Sequence, residues 1–230
     1  MGTDVDKDLM ALVKAIVSGN TSGALKMITA APDLVTMSAA IGAYFFPEIR
    51  HYLYDGDTAL HMAAAAFQFE VAQALIDHGA NCAAKNYRGA QPLHYAADAN
   101  TRNLAAQAAT IACLIRAGAN PNSTDKSGVA PIHRAVRTRS AAAVQALLSG
   151  GATVDLPNKS GSTPLHLAVQ NTGKSGSGSP VAIEQQRQII LLLLHNGAPI
   201  ERKDGSGKTV DQAAKSAWIR ELLRTRRKSS

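Results

Sequence analysis

Short apolar segments recur along this chain in pairs, with polar turns between the pairs. One segment of each pair is small and Ala-rich: Met62-Ala-Ala-Ala-Ala66, Tyr95-Ala-Ala97, Arg134-Ala-Val136 and Leu167-Ala-Val169. The other is more strongly apolar, with Val71, Ala74, Leu75 and Ile76 in one unit and Val144, Leu147 and Leu148 in another. Apolar positions three and four apart share one helix face, and Ala is the best helix former. The pattern therefore predicts pairs of short helices, each with one buried side. A degenerate pair opens the chain. Leu9, Leu12, Val13, Ile16 and Val17 make one face, Ser18-Gly19-Asn20 makes a turn, and Leu25 and Ile28 begin a second face that ends at Ala30-Ala31-Pro32. Its outer positions carry Asp4, Asp6, Lys7, Asp8 and Lys14, as a terminal unit in contact with water requires. A last pair runs from Val210 through Leu223 and closes with Trp218, Ile219, Leu222 and Leu223.

Two phrases punctuate these pairs. The first reads Gly56-Asp-Thr-Ala-Leu-His61, Gly89-Ala-Gln-Pro-Leu-His94, Gly128-Val-Ala-Pro-Ile-His133 and Gly161-Ser-Thr-Pro-Leu-His166, with a decayed copy at Gly207 to Gln212. The second is Gly-Ala, beginning at Gly79, Gly118, Gly151 and Gly197. The intervals from His to His are 33, 39 and 33 residues, then 46 to Gln212. From each closing Gly to the next His or Gln212 the distance is always 15, whereas from His to closing Gly it is 18, 24, 18 and 31. All the slack therefore lies in one half of the unit, where a turn between two helices is expected. Pro in the first helical turn costs no hydrogen bond, and Gly after the second helix supplies a left-handed cap. The fixed half holds polar turns such as Asn86-Tyr-Arg-Gly89 and Asn158-Lys-Ser-Gly161.

The Gly-x-Thr-Pro-Leu-His-x-Ala and Leu-Leu-x-x-Gly-Ala phrases closely resemble the ankyrin repeat family. The resemblance covers about 56 to 215, with weaker copies at both ends. It implies an all-α solenoid of helix-turn-helix units with hairpin-like fingers. It further implies that His61, His94, His133 and His166 tie neighbouring fingers together, with Gly79, Gly118, Gly151 and Gly197 as structural marks. Fingers and first helices would form a concave face that binds a protein partner.

On this template residues 1–230 form one domain of six units. Residues 1–55 are an N-terminal capping unit, 56–88, 89–127, 128–160 and 161–206 are repeats, and 207–230 are a C-terminal cap with a basic tail. From Ala31 to His61 is 30 residues rather than 15, so the first finger carries an insertion, placed within Val35 to Tyr54. Six extra residues fall near Asn100 to Ala109, and thirteen in the Gly/Ser-rich stretch around 173–180, read as a flexible loop.

Composition changes this picture little. Net charge is +7, and between Arg202 and Lys228 nine Lys or Arg face three Asp or Glu. That end could touch nucleic acid, but cations at the end of a final helix also suit its dipole. No aromatic platform or recognition-helix pattern accompanies the tail, so nucleic acid is not the expected partner. Two cysteines, Cys82 and Cys113, suggest no disulfide framework. The acidic N-terminus does not resemble a secretory signal, and Ile189 to Leu194 is too short to span a membrane. A cytoplasmic monomer without membrane attachment is expected.

Candidate chemistry is sparse. Helices in neighbouring layers pack about 8–10 Å apart and zinc bonds are about 2 Å, so successive repeat histidines cannot share an ion. Gly173-Lys-Ser175 and Gly207-Lys-Thr209 look like phosphate loops. However, Ala168 and Arg202 stand where a further Gly is needed, and no buried strand precedes either. No nucleophile-elbow or His-Glu-x-x-His motif occurs. No catalytic, metal or cofactor residue is assigned, and no enzyme is expected.

Aromatic residues carry the stronger signal. Tyr44, Phe45, Phe46, Tyr52, Tyr54, Phe67 and Phe69 crowd into one short stretch. Phe69 occupies a usual core position, whereas Phe67 stands where the family often has a turn Gly and is expected to be exposed or covered by the insertion. Interfaces favour aromatic anchors beside Arg. The candidate partner surface is Tyr87, Arg88, Lys126 and Lys159 on fingertips, Arg134, Arg137 and Arg139 on or after a first helix, and Phe67. The alternative for Tyr44 to Phe46 is that they only pack on the first layer. The expected function is a non-enzymatic scaffold for a protein partner. The alternatives are a nucleic-acid-associated protein using the basic end, or a regulatory subunit of an enzyme.

Overall fold

The computed structural model describes residues 4–40, 42–98, 103–170 and 178–227. Six helix pairs follow one another: α1 (Asp4–Val17) with α2 (Thr21–Ala30), α3 (Ala59–Ala65) with α4 (Phe69–Asp77), α5 (Pro92–Ala96) with α6 (Leu104–Arg116), α7 (Pro131–Arg137) with α8 (Ala141–Ser149), α9 (Pro164–Ala168) with α10 (Pro180–His195), and α11 (Val210–Ala213) with α12 (Ala217–Arg227). First helices contact first helices in the order α1, α3, α5, α7, α9, α11, and α2, α4, α6, α8 and α10 contact one another likewise. One apolar core threads both rows, from Leu9 and Leu12 through Leu60, Leu93, Ile132 and Leu165 to Ile219 and Leu223. Small residues on the first helices permit this close stacking. Ala59, Ala63, Ala64 and Ala65 are fully buried, and buried Ala costs almost no side-chain entropy.

Between the pairs lie the fingers, built by the same bonds in each copy. Asn86 Oδ1 accepts from the N–H groups of Arg88 (2.9 Å) and Ala90 (3.0 Å). Asp125, Asn158 and Asp204 do the same at their positions. Adjacent fingers are then joined by single backbone bonds: Tyr87 N–H to Asp55 O, Lys126 to Arg88, Lys159 to Ser127 and Gly205 to Ser160, at 2.9–3.3 Å. The acceptor always precedes the fingertip Gly. That Gly has positive φ, and a Cβ on Gly128 (φ +71°) would stand 2.8 Å from Lys159 N. Gly128→Ala should therefore cost about 2 kcal/mol, from the left-handed backbone plus the clash. Urea unfolding would measure it, and a loss under about 0.5 kcal/mol, the ordinary surface range, would contradict this packing.

The histidines bridge the same layers. Each Nδ1 accepts a backbone N–H three residues back: Thr58 to His61 (3.1 Å), Gln91 to His94 (3.1 Å), Ala130 to His133 (3.0 Å) and Thr163 to His166 (3.3 Å). That leaves the proton on Nε2, which donates to the next finger: His61 to Ala90 O (3.2 Å), His94 to Val129 O (3.0 Å) and His166 to Lys208 O (3.2 Å). His133 Nε2 closes no such bond.

Three expectations need correcting. The fold is mostly helical but not all-α. A 3-10 turn (Pro32–Val35) follows α2, and the insertion before Gly56 holds an antiparallel pair, β1 (Tyr44–Phe46) and β2 (His51–Leu53), with Phe45 opposite Tyr52. Aromatic residues in both short runs, Tyr44, Phe45 and Phe46 in one and Tyr52 in the other, favour paired strands over a third helix. Second, the slack after His94 and His166 is not all loop. Part of it lengthens the second helix, to 13 residues in α6 and 16 in α10 against 9 in α8. Ser179 caps α10 by accepting from Ala182 N–H; residues 173–177 of the expected flexible loop lie outside the described residues. Third, Phe69 is not core, because it opens α4 with 37 % of its surface exposed.

Candidate functional site

The hairpin divides its aromatics between two jobs. Phe46, Ile49 and Leu53 are buried in the core, while Tyr44, Phe45 and Tyr52 are each 45–47 % exposed. Phe46 thus packs inward as one alternative expected, while Tyr44, Phe45 and Tyr52 lie on the surface. The exposed rings continue into the next fingertip as a ladder. Phe45 meets Tyr52 (centroids 4.9 Å), Tyr52 stacks on Tyr54 (5.5 Å, 20°), and Tyr54 meets Tyr87 edge-on (5.7 Å). Arg88 lies over Tyr54, its guanidinium carbon 4.2 Å from the ring centre, and its Nε donates to Tyr87 Oη at 2.6 Å. Sequence alone did not place Tyr52 and Tyr54 beside Tyr87, because that contact depends on the fold of the insertion.

Two hollows adjoin the ladder. One, of about 200 Å³, is bounded by Arg50, His51, Tyr54, Arg88, Tyr95, Asp98, Arg134 and Arg137, among others. The other, about 580 Å³, lies between the Tyr87–Arg88 and Asp125–Ser127 fingertips and is bounded also by Arg134 and Arg137. Arg88, Arg134 and Arg137 border both, so the two form one groove between fingers and first helices. Lys126 is exposed at its edge; Lys159 is exposed on the next finger and borders neither hollow.

A polar network underlies the groove. Asp57 is fully buried and accepts from Tyr54 N–H (2.6 Å), Tyr95 Oη (2.7 Å) and Asn86 Nδ2 (3.0 Å). Burial pushes its carboxyl up to about 6 although these three donors pull it down. Next to it, His51 packs its ring 4.4 Å from Tyr95 and sets Nε2 3.9 Å from Asp98. Arg134 reaches Asp98 at 2.8 Å and Asp125 at 3.2 Å. Burial raises the Asp98 carboxyl, but His51 and Arg134 outweigh it and hold the group below its ordinary value. Neither Asp57 nor His51 stood out in the sequence, because their partners come from other units.

Three of the predicted surface residues must be withdrawn. Phe67 is 5 % exposed, its backbone left-handed at φ +54° in the turn after α3. Arg134 has only 12 % of its side chain exposed and is engaged by two carboxylates. Arg139 adopts the same left-handed turn (φ +61°) and donates to Gln170 O and Ala182 O of the following unit. Tyr87, Arg88, Lys126, Arg137 and Lys159 remain on the surface. Of the phosphate-loop look-alikes, Gly207 closes a finger and Thr209 caps α11, while Gly173–Ser175 lies outside the described residues. Among the described residues no three His, Cys, Asp or Glu side chains gather as metal ligands, and no helix is long and apolar enough to cross a membrane.

The family model for ankyrin repeats (three copies) matches residues 12–107 and 102–204. The chain belongs to the ankyrin-repeat family. Ankyrin repeats are generally protein–protein interaction modules and typically non-enzymatic, and the bridging histidines and finger glycines described above are this chain's version of the repeat. In this ankyrin chain the hairpin inserted ahead of the first full finger brings Phe45, Tyr52 and Tyr54 to meet Tyr87 at one end of the groove.

Proposed function

We propose that this chain is a non-enzymatic ankyrin scaffold that captures a protein partner in the groove between the aromatic hairpin, the Tyr87–Arg88 and Lys126 fingertips, and α7. The reading rests on one observation above the rest: a ladder of exposed Phe45, Tyr52 and Tyr87 joined through half-buried Tyr54 ends beside Arg88 and Arg137 at two adjoining hollows. Aromatic rings and Arg around a concavity are the residues that dominate interface energies. The scaffold supplies rigidity, so little entropy is lost on binding. At the basic end part of the charge is already engaged. Arg202 pairs with Asp155, Arg224 with Glu221, and Arg220 donates to Lys215 O.

The test is a double variant, Tyr87→Ala with Arg137→Ala. Both side chains are exposed, so thermal unfolding should move little. Capture of the wild-type partner from native lysate should be lost, and the measured Kd should rise by at least about 30-fold, the cost of one strong interface residue. Capture of the same proteins with unchanged affinity by the double variant would sink the groove assignment.

A further inference from the structure

The charge and geometry of the groove identify the kind of segment it takes. Its two carboxylates, Asp98 and Asp125, are both held by Arg134. Arg50, Arg88, Arg137 and Lys126 border the same hollows and form no ion pair among the described residues. The groove is therefore cationic in excess, and the excess lies on side chains with donors to offer.

Arg88 is the most constrained of them. Its Nε is fixed by Tyr87 Oη and its flat face lies on Tyr54, while its two terminal nitrogens carry no hydrogen bond among the described residues. A guanidinium held by its base and face presents the remaining N–H pair in a fixed direction. That fork matches a carboxylate with two parallel bonds, which an ammonium cannot make.

We infer that the groove binds an acidic segment of the partner protein, with a Glu or Asp carboxylate seated on the Arg88 fork. This rests on the groove reading above. The smaller hollow, about 200 Å³, suits a single side chain, and the larger one adjoining it, about 580 Å³, leaves room for the residues that flank it in a segment. Single-stranded nucleic acid needs free ring faces on which bases stack. Here Tyr52 and Tyr54 stack on each other and Arg88 lies on Tyr54, which leaves fewer ring faces for bases. A second copy of the chain is disfavoured by its charge of +7.

The experiment uses fluorescence anisotropy on the full chain with three labelled probes: a peptide alternating Glu with Leu and Ser, its Gln-for-Glu twin, and an oligothymidylate of equal length. The Glu peptide should bind, and more weakly as salt rises. The Gln twin should bind at least about tenfold more weakly, and Arg88→Lys, which keeps the charge, should lose about tenfold for the Glu peptide with an unchanged melting curve. The inference is overturned if the Glu peptide fails to bind, if the Gln twin matches it, if Arg88→Lys leaves affinity unchanged, or if oligothymidylate binds more tightly. If the Tyr87/Arg137 double variant loses the natural partner but the Glu peptide does not compete for it, the groove stands and the acidic segment falls. If the Glu peptide binds through Arg88 while the double variant still captures that partner, the groove reading falls instead.

Discussion

Replacing Arg134 by Met should lower the free energy of unfolding by about 3–5 kcal/mol, the usual loss when one member of a buried ion pair is removed. The side chain bridges Asp98 and Asp125, at 2.8 and 3.2 Å, with side-chain exposures of only 11–15 % for all three residues. Met retains the packing volume and removes the charge, so two largely buried carboxylates are left without the cation they share. Asp98 is the more deeply placed, and with Arg134 gone only His51 remains beside it. The contrast with Arg137 makes the prediction specific. Arg137 stands on the same helix three residues on but is exposed, so Arg137→Ala should change stability by no more than about 0.5 kcal/mol. Chemical denaturation of the two variants separates the roles. A stable Arg134→Met protein would return Arg134 to the list of residues available to a partner. Adding Asp98→Asn to Arg134→Met should recover part of the loss, because the stranded charge is then gone.

The same residue marks the limit of what the sequence makes legible. The repeat period, the fingertip glycines and the bridging histidines are local: each depends on neighbours within a few positions, plus one bond to an equivalent neighbour. Spacing alone therefore locates them. Arg134 looks like a surface cation on a helix, since its partners Asp98 and Asp125 lie 36 and 9 residues away in irregular segments. Phe67 and Arg139 show a related difficulty. Both stand in a turn that needs positive φ, where Gly is the easy choice, so a bulky side chain looks as if it must point outward. Phe67 is nonetheless buried and Arg139 is tethered to the next unit. In the insertion, composition identifies the aromatic cluster correctly. Only strand pairing decides that Phe46 turns inward while Phe45 and Tyr52 stay out.

Acidification should destabilise this protein already above pH 4, through its buried histidines. His61, His94 and His133 are at most 1 % exposed. Burial pushes His61 down from 6.5 to about 3 and His94 to about 4, and it lowers His133 as well. In the unfolded chain these imidazoles bind protons near pH 6.5. Between that pH and the folded values the unfolded state holds more protons, so stability falls as pH falls, by ~1.4 kcal/mol per pH unit for each histidine. Asp57 acts in the opposite sense. Its folded value of about 6 lies above its ordinary 3.8, so the folded state takes up a proton first and regains stability between those limits. Taking His61 and His94 against Asp57, the net loss from pH 7 to pH 4 is roughly 4 kcal/mol. His133 adds to it, and Asp98 and Asp125, both held below their ordinary values, add further only as pH falls below about 4. Urea midpoints measured from pH 7 to pH 4 test the curve, and His94→Gln tests its cause. The chain already uses Gln at this position in its fifth copy, where Gln212 Oε1 accepts the Thr209 N–H at 2.9 Å. The Gln variant keeps that bond without a titrating group, so its stability should fall less steeply between pH 6 and pH 4.5, by about one proton's worth, ~1.4 kcal/mol per pH unit. An unchanged slope would mean that His94 does not stay neutral in the folded state.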